Sequence, residues 1–347
     1  MRVLVLSHDD VRAALTPAAC IDAMAEVLAA HARGDAYMPL RSVMRPPGAA
    51  GLMGLMPAWR GDGARARGGV VARDGESDHA APGATFALKA VCLMPGNPAR
   101  GLDAHQGVVT LFDGETGQPT AILDASAITA IRTAAVTALA TRVLAREDAR
   151  ELGIIGAGVQ AAAHIESLRR VRDFEAVRVY APTADHVRAL IEGAATDAPP
   201  ISAAASAEEA VRGADVVVTA TSSREPVLRR EWLAAGAHVN AVGASTPAWR
   251  ELDVETVAAA ALFADSRESL RNEARDYQLA LEQGAISGDD HVRAELGEVL
   301  AGLRPGRAGD HELTLFRSLG LAVEDLAAAE VALAGARRLG RGIEVEL

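Results

Sequence analysis

The spacing of apolar positions changes once along the chain. Up to about residue 125 it predicts a mixture. A short strand over 3–6 is followed by an amphipathic helix over 17–33, with Thr16 as cap and Pro17 in the first turn. An extended stretch, MPLRSVMRPP, comes next. Strand-like runs then fall at 86–93, 108–112 and 120–123, with Asp113-Gly114 as a hairpin-type turn. This part reads as α+β with antiparallel strands. Residues 60–83 are rich in Gly, Asp, Arg and Ala and read as a long surface loop or hairpin excursion. A helix is expected over 126–145, where Ile128, Ile131, Leu139 and Val143 have helical spacing.

From residue 151 the pattern alternates. LGIIG, AVRVYA, ISAAA, DVVVTAT, HVNAVGA and ALFADS are short unbroken apolar runs, with helical segments between most of them. That alternation predicts a doubly wound parallel sheet with both faces covered, the α/β class. A last helix is expected near 323–338, after LFRSLG.

At the head of the alternating part, LGIIGAGVQAAAH joins a strand to a helix through Gly156-Ala157-Gly158. The first glycine allows the tight turn and the second lets backbone approach a pyrophosphate. The helix start then offers free N–H groups. Ala161 replaces the third glycine and adds only a methyl. Where NAD enzymes place an acid for the ribose hydroxyls, the second strand ends in Ala181. Thr183, His186 and Arg188 follow. The reading leans slightly to NADP(H). The fourth and fifth strands run into small-residue loops, with Thr221 and Ser222 in one and Val242 to Ser245 in the other, at the edge where open sheets bind ligands.

Composition narrows the chemistry. A chain of 347 residues suggests two domains, and 50% hydrophobic residues suffice for a sizeable core. Aromatics are 3%, so Ala, Val, Leu and Ile must build it. A net charge of −11 argues against nucleic acid or an anionic membrane as partner. No apolar run is expected to span a membrane, and no leader is expected. Two cysteines make neither a disulfide framework nor a zinc site, and the histidines are scattered, so no metal is expected. A reducing cytosol is the expected compartment. Of 35 basic residues, Lys89 is the only lysine. In TFALKAVCLM it is either a pocket residue or a strand-edge lysine with its head in water.

Arg41 in PLRSV and Arg132 in AIRTAAV, with Lys89, are candidates for a carboxylate site, because guanidinium forks match that planar group. Each arginine could equally serve a surface ion pair. His105 and Gln106 could be polar pocket groups or loop hydrogen bonders.

The ordered segments LKAVCLMPGN, HQGVVTLFDGETGQPTAILDASAITAIRTAA, GIIGAGVQAAAH, VVTATSS, HVNAVGASTPAWRELD and TLFRSLGLAVEDL resemble the ornithine cyclodeaminase/μ-crystallin family. The resemblance implies a Rossmann domain (129–318) inserted in a discontinuous α+β substrate and dimerisation domain (1–128 plus 319–347). It implies a homodimer that binds NAD(H) or NADP(H) and a small imino- or amino-acid substrate. It implies substrate roles for Arg41, Lys89, Gln106, Arg132 and Ser245, with Lys89 and Arg132 catalytic. It implies cofactor contacts from His105, Arg132, Gly156, Ala157, Gly158, Val159, Gln160, Thr183, His186, Thr221, Ser222, Val242 and Ser318. In the cyclodeaminases of the family an aspartate follows the NAVG strand and handles the substrate amine. Here Ser245 stands in its place, which points toward the μ-crystallin branch and ketimine reduction. The alternatives are an amino-acid cyclodeaminase, an alanine-dehydrogenase-like enzyme, and a non-catalytic ligand-binding protein shaped by NADP(H).

Overall fold

In a computed structural model, residues 1–61 and 83–347 are described; most of the expected 60–83 loop lies outside them. The chain forms two compact units, one of Met1–Thr129 with Leu321–Leu347, the other of Ala130–Gly320.

The first unit begins with β1 (Arg2–Leu6), α1 (His8–Ala14), α2 (Pro17–Arg33), β2 (Ala36–Tyr37) and β3 (Ser42–Met44). The strands β4 (Leu52–Arg60), β5 (Thr85–Leu93), β6 (His105–Asp113) and β7 (Pro119–Asp124) follow. Thr16 caps α2 by accepting from Ala19 N, Pro17 takes the first turn, and Gly34 ends the helix at φ 82°. The β6–β7 turn is held by Asp113, whose carboxylate accepts from Thr116 N and Thr116 Oγ1 at 2.8 Å. Those bonds from Thr116 hold its carboxyl below the usual range. The sheet runs β16-β1-β7-β6-β5-β4-β2, with β3 also on β4 and β16 at Ile343–Glu346. It is antiparallel, as expected of this part, except for β1 beside β7, which pair in parallel.

Two elements of this unit depart from the sequence pattern. β4 has no strand-like signature, because Gly54 and Pro57 interrupt LMGLMPAWR. Pro57 is tolerated because it stands where the facing edge is interrupted, between the pairing with β2 and that with β3. β6 starts three residues earlier than its apolar core suggests, at His105. One face of the sheet is buried, with Met56, Ala58, Lys89, Val91, Val109 and Leu111 inward. The other presents Leu55, Phe86 and Val108, each at least 40% exposed.

α3 (Ala125–Leu144) carries the chain across the boundary between Thr129 and Ala130. It is long and apolar enough to cross a membrane, contrary to the run-length reading, but 83% of that stretch is buried inside the protein. Thr137 and Thr141 bond back to carbonyls four residues earlier, which satisfies their hydroxyls within an apolar surrounding.

The second unit continues with β8 (Glu151–Ile155), α4 (Val159–Leu168), β9 (Ala176–Tyr180), α5 (Ala184–Glu192), β10 (Ile201–Ala203), α6 (Ala207–Val211) and β11 (Val216–Thr219). After it come β12 (His238–Ala241), α7 (Val254–Ala259), β13 (Ala261–Ala264), α8 (Arg267–Glu273) and α9 (Arg275–Glu282). β14 (Val292–Glu295), α10 (Leu296–Leu300) and β15 (Thr314–Arg317) complete it, and α11 (Ala322–Leu339) returns the chain to the first unit. All eight strands are parallel, in the order β10-β9-β8-β11-β12-β15-β13-β14. This is the expected Rossmann-like α/β sheet, extended by β14 and β15, which the pattern did not announce. From β8 the order proceeds outward in both directions, so the switch point lies between β8 and β11.

Buried polar groups tie α3 to this sheet. Asn240 donates to Thr141 Oγ1 at 3.0 Å, and His238 meets Asn240 at 3.1 Å and Thr314 at 2.9 Å. Burial lowers His238 to about 3 and His164, which lies 3.0 Å from Thr137, to about 4.

Candidate active site

The carboxyl ends of β9, β8, β11, β12 and β15 lie side by side, and most of the expected cofactor residues follow those ends. Gly156 leaves β8 at φ 121°, and a Cβ there would stand 2.5 Å from Ala220 O. The turns after β8 and β11 therefore touch at the switch point, and only glycine permits it. Gly158 caps α4 with no side-chain hydrogen bond, is exposed, and has open space where a Cβ would go. Val159 is exposed. Gln160 Oε1 is buried and has no hydrogen-bond partner. Open backbone at a helix start, with an unanswered amide oxygen beside it, fits a dinucleotide.

Thr183 caps α5 without a side-chain bond and is exposed, as is His186. Arg188 pairs with Asp185 at 3.1 Å, both well exposed. No carboxylate stands at Ala181. Val242 is buried and donates its N–H to Thr219 O at 2.9 Å. Ser318 is buried and donates its N–H to Ala241 O at 3.0 Å. Ser222 is exposed and Ser245 half-buried.

Arg132 is buried on α3 in the same unit, and its guanidinium lies against Gly320. A Cβ at Gly320 would stand 2.6 Å from Arg132 Nη1, and φ there is +83°. Asp265 fixes that backbone by accepting from Leu319 N at 2.5 Å and Gly320 N at 2.6 Å. The structure thus brings Arg132 to the loop that follows Ser318.

The other expected substrate residues belong to the first unit. Lys89 sits in the middle of β5, paired across the sheet with Met56 and Val109. Its Nζ donates to Asp325 Oδ1 of α11 at 3.0 Å, with both side chains at most 3% exposed. The strand-edge reading with the head in water is overturned: the ammonium is buried and ion-paired. Arg41 immediately precedes β3, whose Ser42 pairs with Leu55. The ladder of β3 on β4 ends there, one residue after Arg41. His105 pairs with Leu93 and shares Lys89's face. Gln106 points to the opposite, exposed face, and its amide donates to Asp103 O at 3.0 Å. Neighbours in sequence, these two residues do not line one surface.

Four residues that hold these surroundings together were not singled out by the sequence reading: Asp265, and Asp325, Glu251 and Arg317, which lie within the segments that carry the resemblance. Glu251 is fully buried, and its carboxylate accepts from Thr221 N at 2.7 Å, Thr221 Oγ1 at 2.8 Å, Gly243 N at 2.7 Å and Ala244 N at 3.3 Å. Burial pushes this carboxyl up, against the pull of Arg317 and of the bonds from Thr221. A charged residue inside an otherwise apolar run, as in AVEDLAAAE or TLFRSLG, was the available clue.

Known proteins are consistent with this geometry. The ornithine cyclodeaminase/mu-crystallin family matches residues 1–336. Ketimine reductase mu-crystallin of Mus musculus is 38% identical over 298 residues, 86% of this chain and 85% of that protein. The Δ1-pyrroline-2-carboxylate reductase of Thermococcus litoralis, solved with NADH and L-proline, has a TM-score of 0.90 at 33% identity, covering 99% of this chain and 100% of that one. An archaeal alanine dehydrogenase dimer with bound NAD has a TM-score of 0.87 at 33% identity, with 100% of both chains covered. With the family matched over nearly the whole length and the dinucleotide turn in place, the chain belongs to the ornithine cyclodeaminase/μ-crystallin family and is one of its NAD(P)-dependent oxidoreductases.

Proposed function

We propose that the protein is an NAD(P)H-dependent reductase of imino acids, acting on cyclic ketimines such as pyrroline-2-carboxylate or piperideine-2-carboxylate. Ser245 carries this reading. The loop over 243–250 contains no carboxylate, and the next residue, Glu251, is buried with both oxygens committed to backbone and Thr221. A serine hydroxyl neither pairs with an ammonium as a carboxylate does nor acts as a base near neutral pH. The cyclodeaminase reaction draws on such a group for the substrate amine; hydride reduction of an imine does not.

Reduction places a hydride on the imine carbon and a proton on its nitrogen. Reduced nicotinamide, when bound, supplies the hydride. Arg132, fixed by its seat on Gly320, is assigned to the substrate carboxylate, with Arg41 as a second cation. Lys89 is assigned the proton at nitrogen, and Asp325 holds its ammonium in place. The ketimine and pyrroline-2-carboxylate reductases among the relatives support the substrate class. A spectrophotometric panel of cyclic ketimines and amino acids, with NADPH and NADH compared, tests the reading. Oxidation of reduced nucleotide by at least one cyclic ketimine is expected. Failure with every ketimine, together with ammonia release from ornithine, would replace it with a cyclodeaminase.

We further propose a homodimer formed through the outward face of the first unit's sheet. Leu55, Ala90 and Val108 stand in one row across β4, β5 and β6, and Trp59, Phe86 and Phe112 in another. An apolar patch of this kind on a soluble domain calls for a partner. Replacing Leu55 and Val108 together by Glu is expected to halve the mass seen by light scattering. An unchanged mass, or a wild type already of one chain, sinks the proposal.

A further inference from the structure

The two loops after β11 and β12 are built mainly from small residues, which offer little side chain to pack. Two buried charges hold their backbone. From one side the Glu251 carboxylate takes the N–H groups of Thr221, Gly243 and Ala244 and the hydroxyl of Thr221. An ionised carboxylate has about four acceptor positions and no donor, and the four bonds use that capacity. From the other side Arg317, also fully buried, donates to the carbonyls of Ala241 at 3.0 Å and Ser318 at 3.2 Å, and to that of Ala244. Asp276, 3.1 Å away, balances the guanidinium.

Glu251 is itself fixed, because its own carbonyl accepts from Val227 N at 2.8 Å and Leu228 N at 3.0 Å. The space is fully used: a Cβ at Gly243 would stand 2.1 Å from Thr221 O and 2.6 Å from Glu251 Oε1. The β11 loop borders the switch point where Gly156 turns, and the β12 loop lies next to it.

We propose that Glu251 is a positioning residue for nucleotide binding, clamping the β11 and β12 loops into the shape that receives the dinucleotide. The proposal rests on the reading of this edge as the dinucleotide site and not on the identity of the substrate. Glu251→Gln keeps the shape but turns an amide NH2 toward backbone N–H donors, so one of the two loops loses its anchor. Wild type and variant are titrated with NADPH and with NADH in the absence of substrate, following nucleotide fluorescence, and thermal unfolding is measured alongside.

For Glu251→Gln a rise in Kd of about tenfold or more is expected, since one charge-assisted bond is of that order. At saturating nucleotide kcat should stay within about threefold, because the clamp does not touch the reacting atoms. Asp253→Ala serves as the control: it removes the cap of α7, made to Thr256 N at 2.9 Å, and should lower Tm with an unchanged Kd. A parental Kd in Glu251→Gln overturns the proposal. Should that variant fail to fold, Gly243→Ala decides. Its Cβ forces the same loops apart, and an unchanged Kd there also overturns the proposal. Wild-type protein that binds neither nucleotide overturns it as well. Protein that binds nucleotide as expected but reduces no imino acid leaves the clamp supported and removes only the substrate assignment.

Discussion

Lys89→Ala should abolish most turnover while leaving nucleotide binding intact, and restoring stability should not restore activity. The ammonium is buried beside Asp325, 3.0 Å away, so it cannot be an incidental surface charge. Removing a positioned proton donor lowers a rate by about 10²- to 10⁴-fold. The same substitution leaves the Asp325 carboxylate buried without this ammonium, which costs roughly 3–5 kcal/mol when a buried pair is broken from one side. Stability and catalysis can then be separated. Asp325→Asn in the Lys89→Ala background removes the stranded charge and should recover much of the lost Tm. If turnover returns with it, the lysine was only structural. Asp325→Asn alone should lower kcat more than it raises the KM for nucleotide, because it loosens the ammonium. A protein that merely binds small ligands has no turnover for any of these variants to lose.

How much of this was legible beforehand follows from physical range. The parallel sheet announced itself because strands buried on both faces are close to continuously apolar, as in LGII and VVV, and the glycine turn lay between strand and helix where its chemistry requires it. β15 did not, because four residues, TLFR, are too few to show a period. Its place between β12 and β13 is a matter of topology that no local pattern carries. β4 hid behind Pro57, which a strand tolerates only where its partner is interrupted. The site divided the same way. Lys89 drew notice because it is the sole lysine, and the structure gives that oddity a physical content. Asp325, Asp265, Glu251 and Arg317 escaped because each acts through a partner far away in sequence. Glu251 bonds to Thr221, thirty residues earlier, and Lys89 to Asp325, 236 residues later. The faces of His105 and Gln106 could be assigned only once β6 was known to begin at His105.

Ala181→Asp should move the nucleotide preference toward NADH. We propose that the wild type accepts NADPH at least as readily as NADH, because Ala181 puts no carboxylate at the end of β9 to repel a 2′-phosphate. Ala181 is half-buried and has no charge, and Thr183 at the start of α5 has no side-chain cap bond to give up. Among the described residues Arg188 is engaged by Asp185, in an exposed pair of neighbouring turns, and such pairs are worth at most about 1 kcal/mol. Its guanidinium can therefore be recruited cheaply by a phosphate. A carboxylate at 181 reverses both terms. It accepts from the ribose hydroxyls of NADH, a gain of about 1.5–3 kcal/mol for a charged acceptor, and it opposes the phosphate dianion of NADPH. The KM ratio of the two nucleotides should shift by about 10- to 100-fold, with kcat nearly unchanged, because the adenosine end does not touch the reacting carbon. Steady-state kinetics with both nucleotides reads this directly. An unmoved ratio would place the 2′-position away from Ala181. A wild type that already prefers NADH by a hundredfold would show that residues other than the missing carboxylate, Thr183 and His186 first among them, set the choice.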